Sequence, residues 1–236
     1  MSGASCVLVV SNIGLRTNMH LMRPSKFLKS SVRDFILNIN NDYRYMKTGY
    51  YVSLHAEILG NKVVPSTENI VDAYRLPILL VRASKAGVPT MPYLVTDSVK
   101  QIIAEFSFPL VVFAVNPFSF NGFKTAHNRS ALYRAIKSLS MNYRYAVCAQ
   151  PLHGEIASYK SFFGKSDAVD NENVNEISRK VYETFNIPVC KLHIQHVDGE
   201  AYLCGFQALE MEEISPSDLN MISSEIMEIS EKGGFD

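Results

Sequence analysis

The chain lacks an excess of either charge, a membrane-length apolar run, paired cysteines and internal repeats. Its 23 Lys and Arg balance 23 Asp and Glu. Phosphate-rich partners call for a basic excess, so nucleic acid is not an expected partner. The longest apolar candidate, Pro109 to Val115, falls far short of the ~20 residues a spanning helix needs, and no membrane partner is expected. The run Cys6 to Val10 is brief and follows no basic region, which reads as a first strand rather than a leader. Cys6, Cys148, Cys190 and Cys204 are widely spaced with no CxxC pair. Reduced, buried thiols in a cytoplasmic protein are the expectation. Neither a nucleophile elbow nor a P-loop is present.

What is present is a chain of 236 residues, 47% hydrophobic, long enough to bury a sizeable core in one large domain or two small ones. Strand-like runs at 7–10, 35–39, 62–64, 92–95, 110–115, 145–149, 158–163, 189–197 and 201–208 alternate with helical stripes. Val99, Ile102, Ile103 and Phe106 follow the 0, 3, 4, 7 spacing, after Asp97 as expected N-cap. Leu132, Ala135, Ile136 and Leu139 repeat it, and so do Leu219, Ile222, Ile226 and Ile229 after Ser215-Pro216-Ser217-Asp218. Asp198-Gly199 between two strands is a strong hairpin signal. The predicted fold class is α/β, becoming α+β in the second half. A boundary is expected near 72–77, ahead of a helix over 78–86 closed by Gly87. The polar segment 165–175 reads as a surface loop, and the last residues as a frayed tail.

The densest chemistry lies between Asn41 and Ser53. This stretch joins a buried strand to a helix closed by Gly60, and it carries four tyrosines with Arg44, Lys47 and Thr48. Free N–H groups and the helix dipole suit an anion there, with Arg44, Lys47, Thr48, Gly49 and Tyr50 as candidate ligand residues. The competing reading is a helix capped by Thr48, with the tyrosines as amphipathic packing.

The residues from Asn40 to Tyr45, Gly49 to Leu54, Ala56-Glu57, Gly60 and Val64-Pro65-Ser66 resemble the domain that precedes certain RimK-like ATP-grasp proteins. The match spans roughly a third of the chain. Further on, Lys85 to Pro92 resembles the ATP-grasp entrance helix and its exit. Phe108 to Val112 resembles the strand that ends in the ATP-phosphate lysine. Val147 to Leu152 resembles the hinge strand whose backbone pairs with adenine, and Val189 to Ala208 the hairpin bearing the metal-binding acid and asparagine. The resemblance implies a domain over 1–75 followed by a shortened ATP-grasp-like domain over 76–236. It also implies ATP and magnesium as cofactors, and carboxylate–amine ligation through an acyl phosphate.

The chemical groups depart from that pattern. Phe113 stands at the phosphate-lysine position, the glycine-rich loop reads Asn116-Pro117-Phe118-Ser119-Phe120-Asn121-Gly122-Phe123-Lys124, and Gly205-Phe206-Gln207 replaces the metal-binding Glu-x-Asn. Bulky aromatics keep backbone N–H groups from closing around phosphates, and one amide does not supply magnesium's oxygens. Glu210, Glu212 and Glu213 are substitutes for the missing acid or else form the solvated lead-in to the last helix. ATP and magnesium use is therefore doubtful, and no metal ligand set is assigned. Nucleotide-binding candidates are Lys124, Gln150, Leu152, Glu155, Lys160, Lys191 and Gln207. Glu155 is either a ribose contact or an exposed turn acid, and Lys160 and Lys191 are either cleft cations or edge guards. His193 and His196, three apart on a strand, point to opposite faces, so joint metal binding is not expected. Phe118, Phe120 and Phe123 form either a plug over the sheet or a protein contact. Three readings stay open. One is a degenerate RimK-like ligase relative. Another is a non-enzymatic scaffold or regulatory protein binding a small anionic ligand, a nucleotide, a protein partner or a second copy. The third is an altered enzyme using Arg44, Lys47 and Tyr50.

Overall fold

The computed structural model describes residues 7–115, 122–168 and 170–231. Cys6, the loop 116–121 with Phe118 and Phe120, and the tail beyond 231 lie outside the described residues.

The chain opens with β1 (Val7–Ser11), β2 (His20–Met22), α1 (Pro24–Phe27), β3 (Phe35–Ile39), α2 (Thr48–Ile58) and β4 (Val63–Val64). The four strands form one sheet in the order β2-β1-β3-β4, and every pairing is parallel. Its central strands are apolar nearly throughout because both faces are covered. Leu8, Val10 and Ile36 pack with Phe27 of α1 and with Val52 and Ala56 of α2. Val9, Leu37 and Ile39 face the large core on the other side. Gly60 sits at φ 78° just past α2, the left-handed position where a side chain is costly.

α3 (Thr67–Ala73) and α4 (Leu76–Lys85) lead into a second sheet. It is built from β5 (Leu94–Thr96), α5 (Val99–Glu105), β6 (Leu110–Ala114), β7 (Phe123–Ala126), α6 (Arg129–Leu139) and β8 (Val147–Pro151). Its strands run antiparallel in the order β5-β8-β6-β7. Alternation splits β6 between two cores. Leu110 and Val112 meet Ile102 of α5 and Leu132 and Ile136 of α6, whereas Val111 and Phe113 face the large core.

The third sheet holds β9 (Ile156–Phe162), β10 (Lys165–Ser166), β11 (Val189–Val197) and β12 (Glu200–Gln207), antiparallel in the order β10-β9-β11-β12. α7 (Glu172–Phe185) precedes β11, and α8 (Pro216–Glu231) ends the described chain. The β11–β12 turn has two residues, Asp198 at φ 51° and Gly199 at φ 85°, both positive as a type I′ hairpin requires. Ser215 Oγ accepts from the Asp218 N–H while the Asp218 carboxylate accepts from the Ser215 N–H, so the expected cap of α8 is present.

Parallel pairing first and antiparallel pairing afterwards match the predicted α/β to α+β order. Two local expectations are corrected. Segment 165–175 is not a loop throughout: β10 occupies its start and α7 begins at Glu172, where Asn171 accepts from the Val174 N–H at 3.1 Å. Val174, Ile177, Val181 and Phe185 bury one face of that helix. The N-cap of α5 is Ser98 rather than Asp97. The 75/76 division falls between α3 and α4, and one continuous core crosses it, joining Val9, Leu37 and Tyr43 to Leu192 and Leu203. Among the described residues, no helix is long and apolar enough to cross a membrane.

Candidate functional site

The second and third sheets face each other across the large core, and the facing side chains follow from strand alternation. Cross-strand partners share a face, so Ser158, His193 and Gly205 form one row across β9, β11 and β12. Lys160, Lys191 and Gln207 form the next row. From the opposite sheet come Phe113 of β6, Phe123 of β7 and Gln150 of β8.

At one end of this space the two sheets are joined by aromatic packing. The Phe113 and Phe123 rings lie 5.3 Å apart between centroids, and Phe123 meets the His193 ring edge-on at 5.1 Å. A Cβ on Gly205 would come within 2.7 Å of Phe113 Cε1 and 3.1 Å of His193 Cδ2, so this glycine is what lets the ring approach the strand. His193 is buried and held at both nitrogens. Its Nε2 is 2.9 Å from Gln207 Oε1, which only accepts, so Nε2 carries the proton. Nδ1 then accepts from the Ser158 hydroxyl at 2.9 Å. Burial pushes the imidazole pKa down to about 4, the Gln207 contact opposing it, and the ring is neutral near pH 7.

At the other end, polar side chains clip the sheets together. The buried Gln195 amide donates from Nε2 to the Pro151 carbonyl at 3.1 Å, and its Oε1 accepts from the His153 N–H at 2.9 Å. Gln150 donates to the Cys204 carbonyl at 2.9 Å, leaving its own Oε1 buried without a partner among the described residues. The Leu152 N–H is committed to the Pro109 carbonyl at 3.0 Å. The end of β8 therefore has its outward backbone groups engaged by the protein itself.

The cationic candidates are also engaged. Lys160 Nζ donates to Asp218 at 2.6 Å and to the Glu213 carbonyl at 3.1 Å, and Lys191 donates to the Glu213 carboxylate. Glu213 Oε2 in turn accepts from the Glu210 N–H. Burial pushes the Glu213 and Asp218 carboxyls up, but their lysines and N–H donors outweigh it and hold both below the usual range. Lys124 stands opposite Val112, on the α6 side of its sheet, and donates to Ser138 at 2.8 Å. Glu155 is exposed in the turn before β9. His196 bonds Tyr159 on the face opposite His193. Among the described residues, no group of three or more His, Cys, Asp or Glu side chains is placed to hold a metal.

Much of the segment from Asn38 to Ser53 is knit inward, while Tyr45 to Thr48 and Tyr51 stay exposed. Asn38 donates to the Gly49 carbonyl and Ser53, both at 2.8 Å, while the buried Tyr43 hydroxyl donates to the Asn38 carbonyl. Asn41 donates to the Leu209 carbonyl at 2.7 Å and accepts from the Leu209 N–H through its own carbonyl, tying the parallel sheet to the exit of β12. Arg44 is spent on Asp42, with Nη2 at 2.6 Å and Nε at 3.0 Å, and that pairing raises its pKa despite burial. A Cβ on Gly49 would lie 2.6 Å from the Asp42 carbonyl, a packing reason for glycine there. The N-cap of α2 is Lys47 and no side chain caps it, so Thr48 is the first helical residue rather than the cap.

Thr48 instead borders a cleft of about 750 Å³ at the carboxyl end of β1, lined also by Ser11, Asn12, Gly14, Leu21 and Arg23. β1 sits where the strand order reverses, with β2 on one side and β3 on the other. In open parallel sheets that reversal leaves a crevice suited to ligands. Of the predicted ligand residues, only Thr48 lines it. The residues missed by sequence reasoning are Gln195, Ser158, Asn12 and Arg23. For Gln195 a signal existed: Lys191, His193 and Gln195 alternate along one strand, which puts three polar groups on one face.

A family model described as the RimK-like ATPgrasp N-terminal domain matches residues 18–225. No curated protein matches the chain. A RimK domain ATP-grasp protein from Sphaerobacter thermophilus DSM 20745 superposes with a TM-score of 0.65 at 13% identity, over 94% of this chain and 100% of that one. D-alanine–D-alanine ligase from Bacillus anthracis complexed with ATP gives 0.63 at 15% identity, over 99% and 100%. The ATP-grasp ligase PsnB, complexed with precursor peptide PsnA2 and AMPPNP, gives 0.63 at 13%, over 97% and 99%. At these identities the likeness is one of fold.

Proposed function

The chain belongs to the RimK-like ATPgrasp N-terminal domain family, and on that premise we propose that it is a non-catalytic member, a binding protein whose nucleotide cleft is filled by its own side chains. The observation that carries this reading is the Gln195 amide. An adenine edge offers an amino donor beside a ring acceptor, and a primary amide offers the same pair, which is why Asn and Gln recognise adenine bidentately. Gln195 directs that pair at the Pro151 carbonyl and the His153 N–H, two residues apart on the strand end that resembles the adenine hinge.

ATP and magnesium do not fit the residues present. The base-pairing groups are occupied, Phe113 and Phe123 fill the phosphate end against His193 and Gly205, and Glu213 is committed to Lys191. No step through a nucleotide is therefore derived. The binding function is assigned to the open cleft beside β1, where Arg23 and Thr48 offer a cation and a hydroxyl to a small anionic molecule. Asn12, bonded at both ends of its amide to Asn41, shapes the wall.

Isothermal titration with MgATP tests the closed cleft. No heat up to about millimolar ATP is expected, given the opening cost. Micromolar binding, or ADP released with any amine and carboxylate pair, refutes the reading. For the open cleft, a thermal-shift screen of small phosphates, carboxylates and amino acids should give a positive shift. Arg23→Ala should abolish it and Arg44→Ala should leave it, because Arg44 is spent on Asp42. A shift lost only in Arg44→Ala refutes that placement.

A further inference from the structure

The zero net charge of the chain is the sum of two opposed halves. Residues 1–154 carry 17 Lys and Arg against 7 Asp and Glu, whereas residues 155–236 carry 6 against 16. Net charge alone therefore says little about partners, because an interface senses the local field within about one Debye length, roughly 8–10 Å. The sharpest asymmetry is local. Between Glu105 and Glu155 there is no acidic residue and there are five basic ones.

Four of those five gather on the outer face of the second sheet's helical layer. Leu132, Ala135, Ile136 and Leu139 turn inward, which leaves Arg129, Tyr133 and Lys137 as one solvent stripe at successive i, i+4 positions, with Arg134 beside it. Arg129 lies over the Tyr133 ring at 5.8 Å. Arg144 follows on the next turn. Among the described residues, Arg129, Arg134, Lys137 and Arg144 make no salt bridge, whereas Lys160, Lys165, Lys180 and Lys191 on the acidic half are all paired.

The turn after α6 adds a second, independent observation. Met141, Asn142 and Tyr143 are three consecutive non-glycine residues with φ of 51°, 65° and 63°. L-residues rarely adopt the left-handed region, and a run of three is a conformation that side-chain chemistry alone does not favour. It is pinned from within, the Tyr143 N–H donating to Ser140 Oγ at 2.7 Å and the Asn142 N–H to the Lys137 carbonyl at 2.8 Å. The result is to hold Tyr143 and Tyr145 in solvent, 44% and 39% exposed, on either side of Arg144. Tyr133 is also 39% exposed.

We propose that this face, Arg129, Tyr133, Arg134, Lys137 and Tyr143 to Tyr145, binds single-stranded nucleic acid. Unpaired cations meet the phosphates, and the exposed tyrosine rings supply faces for unpaired bases to stack upon. An acidic polypeptide would satisfy the cations but has no use for three aromatic faces. An anionic membrane would want an apolar stripe, which α6 turns inward.

The test uses the full chain and a fluorescein-labelled single-stranded RNA of about 20 nucleotides. Anisotropy should give micromolar binding at low salt, with a log–log salt slope near −3 for about four phosphates. Arg129→Glu with Arg134→Glu and Lys137→Glu should weaken binding at least about 30-fold and flatten that slope. Tyr143→Ala with Tyr145→Ala should weaken it roughly 10-fold at an unchanged slope, and the paired Phe substitutions should restore it. If the triple variant fails to melt cooperatively, Lys137→Glu alone is used, with a loss of about 3-fold expected. The proposal is overturned by no anisotropy change up to about 100 μM protein, far above the range stacking and charge together predict. It is also overturned by wild-type affinity in the reversal or tyrosine variants. Tighter binding of polyglutamate or of phosphatidylserine vesicles through the same residues would overturn it as well.

Discussion

Lowering the pH from about 7 to about 5 singles out His193 through its buried, neutral imidazole. Burial between the two antiparallel sheets holds its folded pKa at about 4, against 6.5 for the free side chain. A base whose folded pKa is depressed takes its proton more readily in the unfolded chain. Stability is therefore complete above pH 6.5 and is lost as pH falls from there toward 4. At pH 5 the unfolded imidazole is almost fully protonated and the folded one hardly at all, which costs about 2 kcal/mol, or about 30-fold in the folding equilibrium. Urea unfolding of wild type and His193→Gln at both pH values measures it. Glutamine stays neutral, and carboxylate titration common to both proteins cancels in the difference. Wild type should lose about 2 kcal/mol more than the variant between the two pH values. Equal losses would refute the burial of a neutral imidazole and the cross-sheet contact that depends on it.

Three further outcomes follow from the same geometry. Gly205→Ala places a methyl 2.7 Å from Phe113 Cε1 and should cost about 1–3 kcal/mol by urea unfolding, much of it recovered in the double variant with Phe113→Leu. Asn41→Ala removes the bond to the Leu209 carbonyl and leaves that group buried. A loss of about 1–3 kcal/mol is expected, with faster amide exchange at Leu209 reporting a loosened link between the halves. Asn186 ends α7 at φ 52°, so Asn186→Gly should stabilise the fold by up to about 1 kcal/mol, read as a higher Tm.

Most strands, the hairpin and most helices are legible because their apolar spacing repeats over several turns or ends in a turn of fixed chemistry. The short strands β2, β7 and β10 are not, and Phe123 and Lys124, read as loop residues, lie on β7. α7 was not, although Val174, Ile177, Val181 and Phe185 carry a helical stripe. Its acidic, asparagine-rich first turn reads as solvated loop, and only the buried face shows that it is helix. The candidate cations show a different limit. Lys160 and Lys191 read as strand residues, either cleft cations or edge guards, but their pairing across the sheet and their partners Asp218 and Glu213 depend on segments whose position no local pattern fixes. Likewise Gln195 meets Pro151 and His153 across more than forty residues of chain, a contact that alternation makes available but does not specify. Arg44 is a misreading open to local inspection, since Asp42 stands two residues away and a turn brings them together.

The contacts across the cleft also set how strongly any nucleotide would have to bind to enter it. Separating the sheets breaks both Gln195 bonds and the Gln150 bond to Cys204, each worth about 1 kcal/mol net. It also strips part of the burial from Phe113 and Phe123, at about 1.5 kcal/mol or more apiece. The opening cost is then about 6 kcal/mol, and apparent affinity falls by the fraction of molecules already open, roughly ten-thousand-fold. A nucleotide with micromolar affinity for the open form would appear at about ten millimolar. The proposed loss of binding therefore does not require every phosphate and metal ligand to be absent; on this reckoning the intramolecular contacts alone suffice. By the same arithmetic, Gln195→Ala with Phe113→Ala removes about 3.5 of those ~6 kcal/mol and should tighten adenosine binding by a few hundred-fold if the hinge backbone is otherwise intact. Adenosine affinity unchanged in the double variant would place the obstruction elsewhere than in these side chains.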